Sequence, residues 1–269
     1  MLDLLQQRVW DAQAKQAPCV DGSACGGLGY ITVEALPGDV VFGRAFHCMC
    51  KRSEVLMREM ERTIQGDTVP EDSYQYALSD FEGKGYAGQA LGYIRQLLDA
   101  GTVWDVEAEA QRYGVLFRGP TGCGKTTLAA IAYRTLIASG KQVGWWNAAA
   151  FVKRVQATYS KDYAGPDYEQ IINAVARLDA LVFDDLGSPT RKEQYSEDHI
   201  EILLRVLNYR DAHHLITICT SNCKEVQLRL QFGPRNFSRL NGLMAFTEMN
   251  GADFRMGSKT AKRSQLEVV

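Results

Sequence analysis

At 269 residues, 46% hydrophobic and 23% charged, the chain is long enough for one sizeable α/β domain and a small accessory module. A formal net charge of −2 excludes a protein that coats nucleic acid through bulk positive charge, so any DNA contact must come from a local basic surface. No apolar run approaches the length that spans a bilayer, and the opening MLDLLQQRVWDAQAKQ has no apolar stretch of the signal-peptide kind. Together these predict a cytoplasmic protein with no membrane partner.

Leu2, Leu5 and Val9 recur at helical spacing and predict a short helix over 2–16. Residues 18–50 hold Cys19, Cys25, Cys48 and Cys50, the run Gly26-Gly27-Leu28-Gly29 and the strand-like Tyr30-Ile31-Thr32-Val33. A turn at Pro37-Gly38-Asp39 and a second strand at Val40-Val41-Phe42 would complete a hairpin. Leu56, Met57, Met60 and Ile64 mark an amphipathic helix, while 66–70 and 83–85 read as linker and loop. The domains predicted are therefore 1–66 and 67–269.

From about residue 88 helices and strands alternate, which implies an α/β fold with a parallel sheet covered by helices. The predicted helices span 88–100, 125–139, 151–159, 168–178 and 197–211, the last buried through Ile200, Leu203, Leu204 and Leu207. The predicted strands span 113–118, 142–147, 180–183 and 215–220, with Trp145 and Trp146 read as core at a strand end.

Gly119-Pro120-Thr121-Gly122-Cys123-Gly124-Lys125-Thr126 fits G-x-x-x-x-G-K-[ST] between an apolar strand and a helix. The glycines permit a tight loop whose backbone N–H groups converge on phosphate oxygens, which predicts an ATP site completed by Thr127. Lys125 supplies a cation for the β- and γ-phosphates and Thr126 an oxygen ligand for Mg²⁺; Cys123 occupies a variable position. Leu181-Val182-Phe183-Asp184-Asp185 is an apolar strand ending in two acids, which places Asp184 at the metal and Asp185 beside the attacking water as base.

Further motifs carry a family resemblance. Ser221-Asn222 ends the next strand as in the sensor-1 pattern of AAA+ ATPases, Phe237-Ser238-Arg239-Leu240 resembles their arginine-finger segment, and Gly251-Ala252-Asp253-Phe254-Arg255 looks like sensor 2. In this order, and with Val69-Pro70, Tyr74 and Phe81 upstream, they resemble the DnaC/DnaI-type replicative helicase loaders of the DnaA/DnaC/IstB clade. The resemblance implies an AAA+ P-loop ATPase core without a C-terminal helical lid, in which Asn222, Arg239 and Arg255 join Lys125, Asp184 and Asp185 in catalysis. Asp185 stands where that class usually has Glu, so slow hydrolysis is expected. Residues between Asn147 and Ala180 match the position of the clade's pore-facing insertion. There Lys153, Arg154, Tyr159 and Lys161 combine cations with an aromatic face for single-stranded DNA, the alternative being a solvated helix face.

Two cysteine pairs brought together by a hairpin make a tetrahedral thiolate site, so Cys19, Cys25, Cys48 and Cys50 are candidate Zn²⁺ ligands of a zinc-ribbon-like module. The pair spacings are irregular, and His47 can replace one thiol; the alternative is a packed module with unmetallated cysteines. The leading functional expectation is an ATP-dependent helicase loader. Its N-terminal module would bind a replicative DNA helicase, and its ATPase domain would bind single-stranded DNA and form a homo-oligomer with ATP at subunit junctions. Alternatives are an IstB-like transposition ATPase, a P-loop small-molecule kinase, and a zinc-dependent adaptor that only binds ATP.

Overall fold

The computed structural model describes residues 9, 25, 30–32, 44–48, 66–82, 85–163, 165–187 and 195–251. They belong to two compact units, one of Met1–Thr63 with Arg154–Ile171 and one of Ile64–Lys153 with Ile172–Val269.

In the smaller unit β1 (Tyr30–Thr32) pairs antiparallel with β2 (Ala45–His47), setting Ile31 opposite Phe46. The strand that pairs with Tyr30–Thr32 is thus not the predicted Val40-Val41-Phe42, which lies outside the described residues, but one beginning at Ala45. Burial selects it: Phe46 is buried, while Ala45 is exposed, the alternation a half-buried strand requires. Cys25 and Cys48 are buried together, with Ile31 packed against them. Of the predicted first helix only Val9 is described, and it is helical and buried; the predicted helix around Leu56–Ile64 lies outside the described residues.

The larger unit is built on five parallel strands in the order β6-β7-β8-β5-β9: β5 (Gly114–Arg118), β6 (Val143–Asn147), β7 (Ala180–Asp184), β8 (Ile216–Ser221) and β9 (Ala245–Glu248). All residues of β5 and β8 are buried, as strands covered on both faces must be, the polar Arg118, Thr217, Thr220 and Ser221 among them. A short antiparallel hairpin, β3 (Val103–Asp105) with β4 (Ala110–Arg112), precedes β5. The helices are α1 (Gly88–Ala100), α2 (Lys125–Ala138), α3 (Ala148–Gln156), α4 (Tyr168–Ala176), α5 (Glu197–Ala212) and α6 (Glu225–Leu243).

Leu128, Ala129, Ala130, Ile131, Ala132 and Leu136 bury α2 in the main core with Val115, Phe117, Val182 and Ile218 of the sheet. Each fully buried Leu or Ile contributes roughly 1.5–3 kcal/mol, enough to anchor the helix that begins at the loop of interest. α5 is held through Ile200, Leu203, Leu204 and Leu207, and Trp145 and Trp146 are core residues, as the sequence pattern implies.

The predicted linker at 66–70 is instead packed on the sheet edge. Gly66 bridges Trp145, the Asp67 N–H donates to the Trp145 carbonyl at 2.6 Å, and Val69 joins the core. Nor does the last predicted strand, 215–220, end the core, because α6 and β9 follow it. α6 is broken at Gly233 (φ 74°, ψ 158°), immediately before Pro234, so its two halves bury Leu228 and Phe232 on one side of the kink and Phe237 and Leu240 on the other. No helix among the described residues is long and apolar enough to cross a membrane.

Candidate nucleotide site

Ligands of open parallel sheets bind beyond the carboxyl ends of the strands, and here β5 runs directly into residues 119–126 and α2. Gly119 has φ 153°, and a Cβ there would lie 2.1 Å from the Met249 carbonyl oxygen. Gly124 (φ 95°) caps the start of α2, where a Cβ would meet the Phe81 ring at 2.9 Å. The loop is therefore clamped between the end of β9 and the 3₁₀ turn Leu78–Phe81, with the Met249 N–H donating to the Arg118 carbonyl at 2.7 Å. Gly119 and Gly124 leave no room for side chains, and the first N–H groups of α2 form an anion-binding terminus.

Lys125 is 4% exposed. Its ammonium donates to the carbonyls of Gly119 (2.8 Å) and Pro120 (2.7 Å) and contacts Cys123 Sγ at 3.6 Å. Burial pushes its pKa down, opposed by the neighbouring Cys123, Asp185 and Asp184. The variable position of the motif, Cys123, is fully buried against this lysine.

Thr126 Oγ1 donates to Asp184 Oδ1 at 3.0 Å, joining the start of α2 to the end of β7. Burial pushes the Asp184 carboxyl up, and the hydroxyls of Thr220 and Thr126 pull it back. A hydroxyl and a carboxylate form the hard, all-oxygen donor set that Mg²⁺ prefers. These residues fit a magnesium ion.

Asp185 follows in a left-handed conformation, φ 62°. Its N–H donates to Thr220 Oγ1 at 3.0 Å, and its Oδ1 accepts from Asn222 Nδ2 at 2.7 Å. Lys125, Thr126, Asp184, Asp185 and Asn222, read from three separated motifs, thus meet at one end of the sheet.

A family model described as IstB-like ATP binding protein matches residues 78–237, more than half of the chain and all of these groups. The chain belongs to that family. Among solved structures, this IstB-like chain is similar to the DnaC helicase loader, with a TM-score of 0.54 and 20% identity over 67% of this chain and 100% of that one. DnaI gives 0.53 and 19% over 71% and 98%, and AMPPCP-bound DnaA from Aquifex aeolicus gives 0.55 and 18% over 76% and 58%. At these identities the likeness is one of fold: the five-stranded unit shares the α/β core of these structures. Comparison with curated proteins gives no significant match.

Arg239 is exposed on the second half of α6, and Arg255 lies outside the described residues, as do Cys19 and Cys50. Lys153 falls in the larger unit and Arg154, Tyr159 and Lys161 in the smaller. Arg154 donates to the Tyr163 hydroxyl and sits over its ring at 5.5 Å. Tyr159 is 56% exposed and stacks on Tyr168, with ring centroids 6.2 Å apart. Among the described residues no three His, Cys, Asp or Glu side chains gather as a metal site.

Two residues at the site escaped sequence reasoning. Thr220 touches both acids, and Ser221 Oγ donates to the Leu186 carbonyl at 2.6 Å while accepting from the Cys223 N–H, which fixes the turn that carries Asn222. Only their place at a strand tip two and one residues before Asn222 marks them in the sequence.

Proposed function

We propose that this chain is a Mg²⁺-dependent ATPase that loads a replicative DNA helicase onto single-stranded DNA. The observation that carries the ATPase part is the Asn222–Asp185 hydrogen bond beside the Thr126–Asp184 pair. Binding alone needs a cradle and a metal ligand; a second acid held by an amide serves hydrolysis. Magnesium-bound ATP supplies the phosphoanhydride bond and the charge neutralisation when present. Lys125 is the cation of the cradle, Thr126 and Asp184 hold the metal directly or through water, and Asp185 accepts the proton of the attacking water. Asn222 orients the Asp185 carboxylate. Arg239 and Arg255 would act on the transition state, Arg239 from a neighbouring copy.

The loader part is supported by the fold shared with the DnaC helicase loader and DnaI. Lys153, Arg154, Tyr159 and Lys161 would contact DNA, and Cys19, Cys25, Cys48 and Cys50 would hold a structural zinc in a cytoplasmic, helicase-binding module. The shared burial of Cys25 and Cys48 agrees with that ligand set. The family match favours one second reading, an IstB-like transposition ATPase. Native mass spectrometry of the purified chain mixed with the replicative helicase of its source, with ATP and single-stranded DNA, separates them: a stoichiometric helicase complex supports the loader, and none refutes it. Turnover that single-stranded DNA does not alter would point to an ATPase without the DNA role.

A further inference from the structure

Thr220 is a strand-tip residue, 2% exposed, whose one hydroxyl meets both acids of the site. Its Oγ1 lies 2.5 Å from Asp184 Oδ1 and 3.0 Å from the Asp185 nitrogen. A hydroxyl has one proton to give and lone pairs to receive with. The carboxylate can only accept and the amide can only donate, so the direction of both bonds is fixed: Thr220 donates to Asp184 and accepts from Asp185. The parallel register that pairs Phe183 with Cys219 brings Thr220 level with Asp184. Branching at Cβ restricts the Thr220 side chain about χ1 and keeps the hydroxyl on this pair.

Each bond has a separate consequence. With Thr126, Thr220 places two hydroxyl donors on Asp184 Oδ1, so among the described residues the hydrogen bonds to this carboxylate converge on one oxygen, leaving the other for a metal or its water. The second bond engages the amide of a non-glycine residue at φ 62°, a conformation L-residues seldom adopt without local support. Held in that turn, Asp185 directs its carboxylate to Asn222 instead of continuing the line of β7. Loss of the acceptor would free the turn and with it the direction of Asp185.

Resting on the hydrolytic reading above, we propose that Thr220 is the positioning residue of the site, one hydroxyl fixing Asp184 for the metal and Asp185 for the attacking water. Thr220 acts through the two acids. Outer-shell partners of metal ligands typically change affinity or activity by about 10–100-fold when removed.

The test compares wild type with Thr220→Val, which keeps the shape and loses the hydroxyl, and Thr220→Ser, which restores it. Thr220→Val should lower kcat by about 10–100-fold and raise the Mg²⁺ concentration needed for half-maximal turnover. Its affinity for ATP measured in EDTA should not change, and Thr220→Ser should recover most of the turnover. Residue-resolved amide exchange of the nucleotide-free proteins gives a readout independent of activity. The Asp185 amide should be protected in wild type and Thr220→Ser and exposed in Thr220→Val. Wild-type turnover in Thr220→Val, or an Asp185 amide that exchanges freely in wild type, overturns the proposal; the second result needs no folded variant. Failure of wild type itself to hydrolyse ATP would instead overturn the ATPase reading, leaving the exchange arm to decide the role of Thr220 in the turn.

Discussion

Arg210 is a completely buried arginine on α5. Its Nη1 donates to the carbonyls of Val175 (3.4 Å), Ala176 (3.0 Å) and Leu178 (2.7 Å), its Nη2 to Ile216 (2.5 Å), and its Nε to Thr217 Oγ1 (2.9 Å). Val175 and Ala176 are the last residues of α4, whose terminal carbonyls have no partner within the helix. The guanidinium therefore caps α4 and ties it to the start of β8. Burial pulls its pKa down to about 9, which still leaves it charged at neutral pH. Arg210→Met keeps much of the stem and removes every donor. Each stranded buried carbonyl costs about 1–3 kcal/mol, while relief of the guanidinium's own desolvation offsets part of the loss. Removing one partner of a buried ion pair costs about 3–5 kcal/mol; the groups left here are neutral, so about 2–4 kcal/mol is expected. For a chain of this size that corresponds to a Tm lower by roughly 4–16 °C. Thermal unfolding followed by circular dichroism measures the loss. Since Arg210 contacts the opposite end of β8 from Thr220, ATP affinity of the folded variant should equal that of wild type. A variant as stable as wild type would refute the capping argument.

Lys125→Ala removes a cation worth about 1.5–3 kcal/mol per charged hydrogen bond, so ATP binding by calorimetry should weaken at least about tenfold while the far-ultraviolet spectrum is unchanged. Normal binding would remove Lys125 from the cradle. Replacing Lys153, Arg154 and Lys161 together with Ala should weaken single-stranded DNA binding and reduce the slope of log affinity against log salt by about 2, since each lost phosphate contact removes about 0.7. An unchanged slope would return these residues to a solvated surface. Metal analysis of freshly purified protein should find about one zinc per chain, and Cys48→Ser with Cys50→Ser should abolish it and helicase binding while ATP affinity survives. Zinc-free protein that binds helicase would exclude the zinc proposal.

The nucleotide loop was legible because its determinants are local: glycines, Lys125 and Thr126 follow one another between an apolar strand and a helix. Asp184 and Asn222 were legible for the same reason, Asp184 ending an apolar run and Asn222 following a strand-like one. Thr220 was not, because its role arises from the register of β7 against β8, and a threonine near a strand end has nothing distinctive in one dimension. Arg210 was hidden similarly; its acceptors come from α4, β8 and the segment between α4 and β7. Gly233-Pro234 reads as a helix breaker, yet the chain resumes its helix after a single non-helical residue, so α6 was missed and with it the start of β9. The short β3–β4 hairpin presents only three residues per strand, too few for a periodic pattern. In the smaller unit the true partner of β1 lies three residues beyond the predicted turn's second strand, since Phe46 and not the Val40-Val41-Phe42 run is the side chain set against Ile31.

On the proposed function, Asp185, set by Asn222 and Thr220, is what makes this fold hydrolyse ATP and not only bind it. Measuring ATP affinity and steady-state phosphate release side by side for wild type and Asp185→Asn tests it most directly. Removal of a positioned base should slow Mg²⁺-dependent release by about 10²–10⁴-fold with ATP affinity preserved. Equal phosphate release by the two proteins would contradict it.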